Sequence, residues 1–438
     1  MASKVYFMDD RASGVKESLV AKMLTVFDAA GFADIIKPGD SVAIKLHMGE
    51  HNNTAYLRPV YVRALVDKIK SLGGDPFVVD TTTLLGLFAS RATAVDYLKT
   101  AARNGFTLSS LGCPVIIGDG FIGNDDERVD LPEGFILQEQ YVASAIALAD
   151  AMIALSHFKG HPVGTYGGAI KNIGVGCASK RGKYNLHLSR HPKYGFHQRP
   201  LYPERCKGRA CASWQSCEVC CPEGAIQITE TTINWNRDKC HGCFACVGVL
   251  HCGAMEMIPD WFDATTAAIA DSARAAVKTF APGKVGFVTL AIDIVPWCDC
   301  VPFSDRPLIP NMGVFASYDP VAMDTACVKM AQQSEGILGS AAEEHDVMAP
   351  GTMKFAHCSS WMPGGAKSED VQLNAGVYNG LGSKEHEVIE VGKTKATSNF
   401  LYVSQPLTPR FGEHMRVHPV FPAGGFKWIE NVDLNKVR

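Results

Sequence analysis

The chain has 438 residues, 47% of them hydrophobic, with 42 Lys and Arg against 45 Asp and Glu and a net charge of −3. This balance leaves no excess positive charge to hold nucleic acid or an anionic membrane. No apolar run reaches the roughly 18 residues of a membrane span, and the opening MASKVYFMDDRASG lacks the basic-then-apolar order of a secretory signal, so the expectation is a globular, cytoplasmic protein of two or three domains.

The first elements alternate. Residues 41–47, SVAIKLH, read as a buried strand. Residues 58–74 carry apolar side chains at helical spacing and stop at glycine, and 76–81, PFVVDT, read as a second strand. Such a unit joins parallel strands right-handedly. Residues 114–120 and 151–160 read as further strands, the latter preceded by a helix over 141–149. The alternation predicts an α/β fold with a mostly parallel sheet. Lys45 and His47 end the first strand, with Glu50, His51 and Arg58 after them, and Asp80, Thr81 and Thr82 follow the next.

After the strand at 151–160 comes a dense polar stretch: Ser156-His157-Phe158-Lys159-Gly160-His161-Pro162, then Gly164 to Asn172, then Gly174 to Lys180. Open α/β sheets place ligands beyond the carboxyl ends of their strands. Glycines let backbone N–H groups approach a ligand, lysine brings charge, and histidine moves protons near neutral pH. His157, His161 and Lys171 are therefore the candidate catalytic residues, and Gly167, Gly168, Lys171, Asn172, Lys45 and His47 the candidates for holding a ligand or an organic cofactor of unknown identity. The competing reading is a solvated glycine-rich loop, since the standard phosphate-loop pattern is absent. His187 and His191 stand just before the next segment.

From about 191 to 260 the α/β pattern gives way to Cys, His, Pro and Gly, and nine of the fifteen cysteines fall between Cys206 and Cys252. Such clustering points to metal. Cys240-His-Gly-Cys243-Phe-Ala-Cys246 is a close triple suited to three corners of a cubane cluster, and the distant Cys221-Pro222 pair supplies the fourth ligand. Zinc is the competing metal, but its sites use two separated pairs. A second [4Fe–4S] cluster is assigned to Cys206, Cys211, Cys217 and Cys252. It is irregular: Trp214 and Leu250 stand where ligands belong, and Cys220 or His251 is an alternative. The expected architecture is an α/β domain (1–190 and 261–370) interrupted by a two-cluster, ferredoxin-like α+β insert (191–260), with a covering segment at 371–438.

The α/β pattern resumes with a helix over 263–280, a strand over 284–295, a strand-like 313–320 and a helix from 321 to about 333. Trp297-Cys298-Asp299-Cys300 ends a strand and precedes Ser304-Asp305. Two thiols beside a carboxylate suggest metal or redox chemistry, against two partly buried cysteines.

On SVAIKLHMGEHNNTAYLRPVYVR, FVVDTTTL, IALSHFKGHPVGTYGGAIKNIGVGCASKRGK, the cysteine insert and PWCDCVPFSDRPLIPNMGVFASYDPVAMD, the chain resembles the family catalogued as domain of unknown function 362 (DUF362), in its ferredoxin-containing form. The resemblance implies iron–sulfur binding and no particular reaction. TYGGAIK is also similar to the glycine-lysine segment of the nickel-pincer lactate racemase family, which implies Lys171 as a cofactor anchor with His157 or His161 as ligand or base. Three functions compete: single-electron transfer through the clusters to or from a ligand in the His/Lys/Gly pocket, a pure electron carrier or docking subunit, and a racemase- or isomerase-like enzyme with a structural cluster. The first two require a redox partner such as a ferredoxin, flavoprotein or reductase.

Overall fold

The computed structural model describes residues 2–12, 14–84, 89–243, 245–248, 252–360, 368–392, 417 and 422–438. Among these, an eight-stranded sheet runs, edge to edge, through His386–Glu390, Ser3–Asp9, Gly313–Ser317, Val285–Ala291, Ala151–His157, Ser41–Lys45, Asp75–Asp80 and Val115–Ile117. Only Gly313–Ser317 is antiparallel to its neighbours; all other pairings are parallel. Strands Ala151–His157, Val285–Ala291 and Gly313–Ser317 are buried at every position. Helices cover both faces, as a mostly parallel sheet requires.

One face is covered by Leu19–Ala29 and Pro59–Ser71, the latter burying Tyr61, Val62, Leu65, Val66 and Ile69. The other is covered by Ala169–Gly176, Pro259–Lys278 and Pro320–Gln333. Asp319 caps the last of these through Val321 and Ala322 N–H, both at 2.9 Å, and also accepts from Ser3 Oγ and Ser383 N. One carboxylate thus ties the start of strand Ser3–Asp9 and the turn before edge strand His386–Glu390 to a core helix. No described helix is long and apolar enough to cross a membrane.

Most expected elements appear within a few residues of their predicted bounds. The helix expected over 141–149 does not: Glu139–Ala143 is a strand paired with Asp126–Asp130, and only Ser144–Ala147 is helical. Its alternating burial fits a period of two as well as a helix. The segment after 371 is more than a cover, because His386–Glu390 extends the sheet beside Ser3–Asp9.

The topology locates a crevice. Strands Ser41–Lys45, Asp75–Asp80 and Val115–Ile117 step one way across the sheet, while Ala151–His157 and Val285–Ala291 step the other. The order reverses between Ser41–Lys45 and Ala151–His157, and ligands in open α/β sheets sit outside the carboxyl ends of the strands at that point.

Between helices Lys180–Leu186 and Pro259–Lys278 lies the cysteine-rich segment. Leu201 bridges Met255, and Ile226–Ile228 pairs antiparallel with Ile233–Trp235. Its own small core joins Cys217, Ile226, Ile228, Ile233, Ala254 and Met255, with Cys206, Trp214, Cys221 and Cys246 packed against it. Leu250 and His251 lie outside the described residues.

Candidate functional site

At the switch point lies a cavity of about 470 Å³, within the range of small-molecule sites. Lys45, Arg91, Lys159, Lys171 and Lys183 line it against Asp80 and Asp299, with His47, His157, His161 and His187 and an apolar wall that includes Leu84, Leu155, Val163 and Phe303. Of the residues expected to be catalytic or to hold a ligand, Lys45, His47, His157, His161, Gly168, Lys171 and Asn172 line it, whereas Gly167 does not and sits beside the Lys159 and Lys171 chains.

Two buried ion networks hold the charges apart. Lys45 sits 2.9 Å from Asp80, which also accepts from the Tyr97 hydroxyl. Burial would raise the Asp80 pKa, but Lys45, His47, Tyr97 and Lys183 bring it down to about 2. Asp299 accepts from His157 Nδ1 and Lys159 Nζ, each at 2.8 Å. Burial opposes its ionisation too, but His157 and Lys159 hold it well below the usual carboxylate range. His157 Nε2 faces the carbonyl of Ile292 at 2.7 Å. With an oxygen facing each ring nitrogen, the ring is committed to positioning Asp299. Asp299→Asn is expected to cost about 3–5 kcal/mol, because it leaves buried cations without their counter-charge; urea unfolding of the two proteins measures it.

Asn172 is a staple. Its Nδ2 donates to Lys45 O, Leu155 O and Ser156 Oγ, and its Oδ1 accepts from Lys45, so it joins the two strands at the switch point. Asp324 caps helix Ala169–Gly176 through Ala169 and Ile170 N–H, at 2.7 and 2.9 Å. Burial raises the pKa of this carboxyl to about 7. The capped helix needs glycine at 168, where a Cβ would meet Asp324 Oδ1 at 2.3 Å. Gly168→Ala is expected to destabilise by about 1–3 kcal/mol through overpacking and to lower the thermal midpoint by several degrees.

Two donors face the cavity without hydrogen-bond acceptors among the described residues. His47 takes the Gly49 N–H on Nδ1 at 2.9 Å, which leaves its proton on Nε2, a buried atom with no acceptor. Lys171 is 8% exposed, and its ammonium meets no hydrogen-bond acceptor among the described residues. Burial, then Lys159, lowers its pKa to about 7. His161 accepts from Gly164 and Val163 N–H on Nδ1, and burial lowers its pKa well below the ordinary value.

Other candidates fall elsewhere. His51 contacts Arg103 at the surface, Arg58 pairs with Asp293, Thr82 serves Asp119, and His191 caps Lys193 and Tyr194 N–H groups outside the cavity. Ser304 accepts from Thr54 and Ala55 N–H. Arg91 and Lys183 were not singled out by pattern. Lys183 follows three residues after Lys180 on helix Lys180–Leu186, and that spacing was the signal available.

In the cysteine-rich segment, Cys221, Cys240, Cys243 and Cys246 line one small cavity with Ile226 and Trp235. Burial raises the Cys243 thiol, and the charges of Cys246, Cys221 and Cys240 add to it. Burial likewise raises Cys217, whose strongest thiol neighbours are Cys252, Cys211 and Cys206. Cys221 accepts a hydrogen bond from Ala225 N at 3.2 Å, Cys206 from Gly208 N at 3.3 Å and Cys246 from Arg199 at 3.4 Å. Cys220 is a donor instead, to Cys217 O at 3.1 Å, and burial raises it to about 12. Trp214 opens helix Trp214–Val219, packs on the small core and carries Arg209 over its ring.

The segment meets the pocket through an apolar cluster in which Leu84, Met257, Trp261 and Phe262 pack with Val163 and Cys240. Trp261 Nε1 donates to His187 O, Ser189 to Gly242 O and Arg190 to Cys240 O, all at 2.9–3.2 Å.

A family model described as domain of unknown function (DUF362) matches residues 42–329. No curated protein matches. Among the solved structures the chain resembles are two. One, a lactate racemase apoprotein from Thermoanaerobacterium thermosaccharolyticum, is 13% identical with a TM-score of 0.31 over 62% of this chain and 49% of that one. The other, a protein from Thermotoga maritima, is 8% identical with a TM-score of 0.32 over 72% and 57%. The chain thus spans about half the length of these structures, and the likeness is too distant to bear on activity.

Proposed function

The chain belongs to the DUF362 family, and from that premise we propose that it is an iron–sulfur protein that passes single electrons to or from an anionic small molecule held in the switch-point pocket. One observation carries this reading: Cys240 packs in the same apolar cluster as the pocket-wall residues Leu84 and Val163, so a metal centre at Cys240 would be separated from the ligand only by packed side chains.

Cys221, Cys240, Cys243 and Cys246 would hold one [4Fe–4S] cluster, and Cys206, Cys211, Cys217 and Cys252 the other. Soft thiolates grouped in fours suit iron–sulfur clusters, which when bound supply electrons one at a time. Supporting the ligand sets, the N–H groups of Ala225 and Gly208 and the Arg199 guanidinium donate to ligand sulfurs, contacts that stabilise thiolate charge and tune potential. The pairing of Leu201 with Met255, around the hairpin Ile226–Trp235, supports a ferredoxin-like arrangement. Cys252 is exposed, which favours the second ligand set as the face for a ferredoxin, flavoprotein or reductase. In the pocket, Lys171 and the Nε2–H of His47 bind the ligand's negative group, and Lys171 exchanges a proton near neutral pH.

The test is anaerobic purification, iron and sulfide analysis, and mass spectrometry of the bound small molecule, followed by mixing dithionite-reduced protein with small carboxylates. A carboxylate that reoxidises the clusters in the wild type but not in Lys171→Ala supports the reading. Protein that holds no iron, or clusters that every carboxylate reoxidises equally in both proteins, overturns it. The unpartnered Lys171 amine favours a second reading, a racemase- or isomerase-like enzyme with structural clusters. Exchange of solvent deuterium into a bound carboxylate while the clusters stay oxidised would select it.

A further inference from the structure

The loop Cys298-Asp299-Cys300 enters the pocket and has no part in the reading above. We propose that Cys298 and Cys300 form a redox-active disulfide that exchanges with a small anionic thiol entering the pocket.

The two sulfurs are joined. Cys300 lines the cavity while Cys298 is fully buried, so a visitor reaches one sulfur and not the other. A ring nitrogen of His161 lies within 4.8 Å of both sulfurs. The same three side chains would be a candidate metal group, but the histidine is set against it. His161 Nδ1 already shares its lone pair with the Gly164 and Val163 amides, at 2.7 and 3.3 Å, so the neutral ring carries its proton on Nε2. A metal would have to displace one or the other. A ring bearing N–H beside sulfur suits a thiolate instead, which it stabilises by donating to it.

The loop is held for such a role. The Asp299 carbonyl accepts from Glu50 N at 2.9 Å, and the Cys300 carbonyl accepts from Arg91 at 3.2 Å. The acid between the two cysteines would repel an incoming thiolate, but His157 and Lys159 neutralise it. Lys171 and the His47 Nε2–H face the same cavity with no acceptor among the described residues, and a carboxylate on the visitor would be received there.

The exchange balances with the thiol as reductant. Its thiolate attacks Cys300 Sγ, a mixed disulfide forms, and Cys298 leaves as a thiolate that takes up the proton shed by the thiol. A second thiol attacks the mixed disulfide at the small molecule's sulfur, releasing Cys300 as a thiol and a small disulfide. Two thiols are oxidised and the protein disulfide gains two electrons and two protons. No cluster takes part, so this inference and the electron-transfer reading fail separately.

The experiment uses full-length protein prepared without reductant. Opening of the 298–300 link by 3-mercaptopropionate and by its uncharged amide is followed by alkylation and peptide mass, with rates normalised to thiolate concentration. The acid is expected to open it roughly tenfold faster, the effect of one charge contact, with the preference kept in Lys171→Arg and lost in Lys171→Met. Equal rates in the wild type overturn the proposal. So do free Cys298 and Cys300 thiols before any thiol is added, or one equivalent of bound zinc or nickel that Cys300→Ser releases.

Discussion

Cys243→Ala is expected to remove about four of roughly eight irons per chain, with a matching loss of sulfide, whereas Cys220→Ala leaves both counts unchanged. The two thiols lie in the same crowded segment, and proximity alone does not separate them. Their surroundings do. Cys243 shares a small cavity with Cys221, Cys240 and Cys246, and no other described thiol lines it. Cys220 turns its S–H to the Cys217 carbonyl at 3.1 Å, a closer donor contact than the one Cys217 makes to Ser213 O at 3.6 Å. Trp214 completes the argument: where a regular ligand would stand, the indole packs against the small core that includes Cys217, Ile226 and Ile228. The remaining thiols around Cys217 are Cys206, Cys211 and Cys252, so Cys211→Ala should also cost about half the iron. Anaerobic iron and sulfide analysis of the three variants is the measurement. Equal losses in Cys220→Ala and Cys211→Ala would instead place Cys220 in the second set.

Lys171→Met is expected to stabilise the fold by several kcal/mol below about pH 7 while abolishing anion binding in the pocket. The folded-state pKa of Lys171 is lowered from 10.5 to about 7, by burial first and then by Lys159 and Lys45. Between those values the unfolded chain holds the proton and the folded chain does not, so stability rises with pH across that window. Below about 7 both states are protonated and the folded state carries the full cost of a buried ammonium, about 1.4 kcal/mol for each unit of lowering. Met fills a similar volume and has no charge to desolvate. Urea unfolding of the two proteins at pH 6 and pH 10 checks this: the advantage of the variant should be large at pH 6 and small at pH 10. A variant less stable than the wild type at pH 6 would mean that the amine finds a counter-charge in the fold. A buried ammonium kept at such a cost to stability supports the ligand-binding role proposed for it.

The sequence by itself determined the features that depend on near neighbours along the chain. The alternation of apolar runs with helical spacing specified the α/β class, because burial on both faces of a parallel strand needs continuous apolar residues. Cys240, Cys243 and Cys246 could be grouped because their spacing is that of one loop, and the polar stretch after Ala151–His157 pointed to the right end of the sheet. The tertiary structure decided what each of those groups does. His157 is separated from Asp299 by 142 residues, and that contact commits its ring to holding a carboxylate. Asn172 became a staple because the reversal of strand order brought Lys45 beside Leu155. Lys171 is singled out by the absence of an acceptor among the described residues, a property of everything packed around it and of no residue near it in sequence. Local spacing sets which conformations and ligand loops are available, whereas charge state and hydrogen-bonding role follow from burial and from partners that only folding brings within 3 Å.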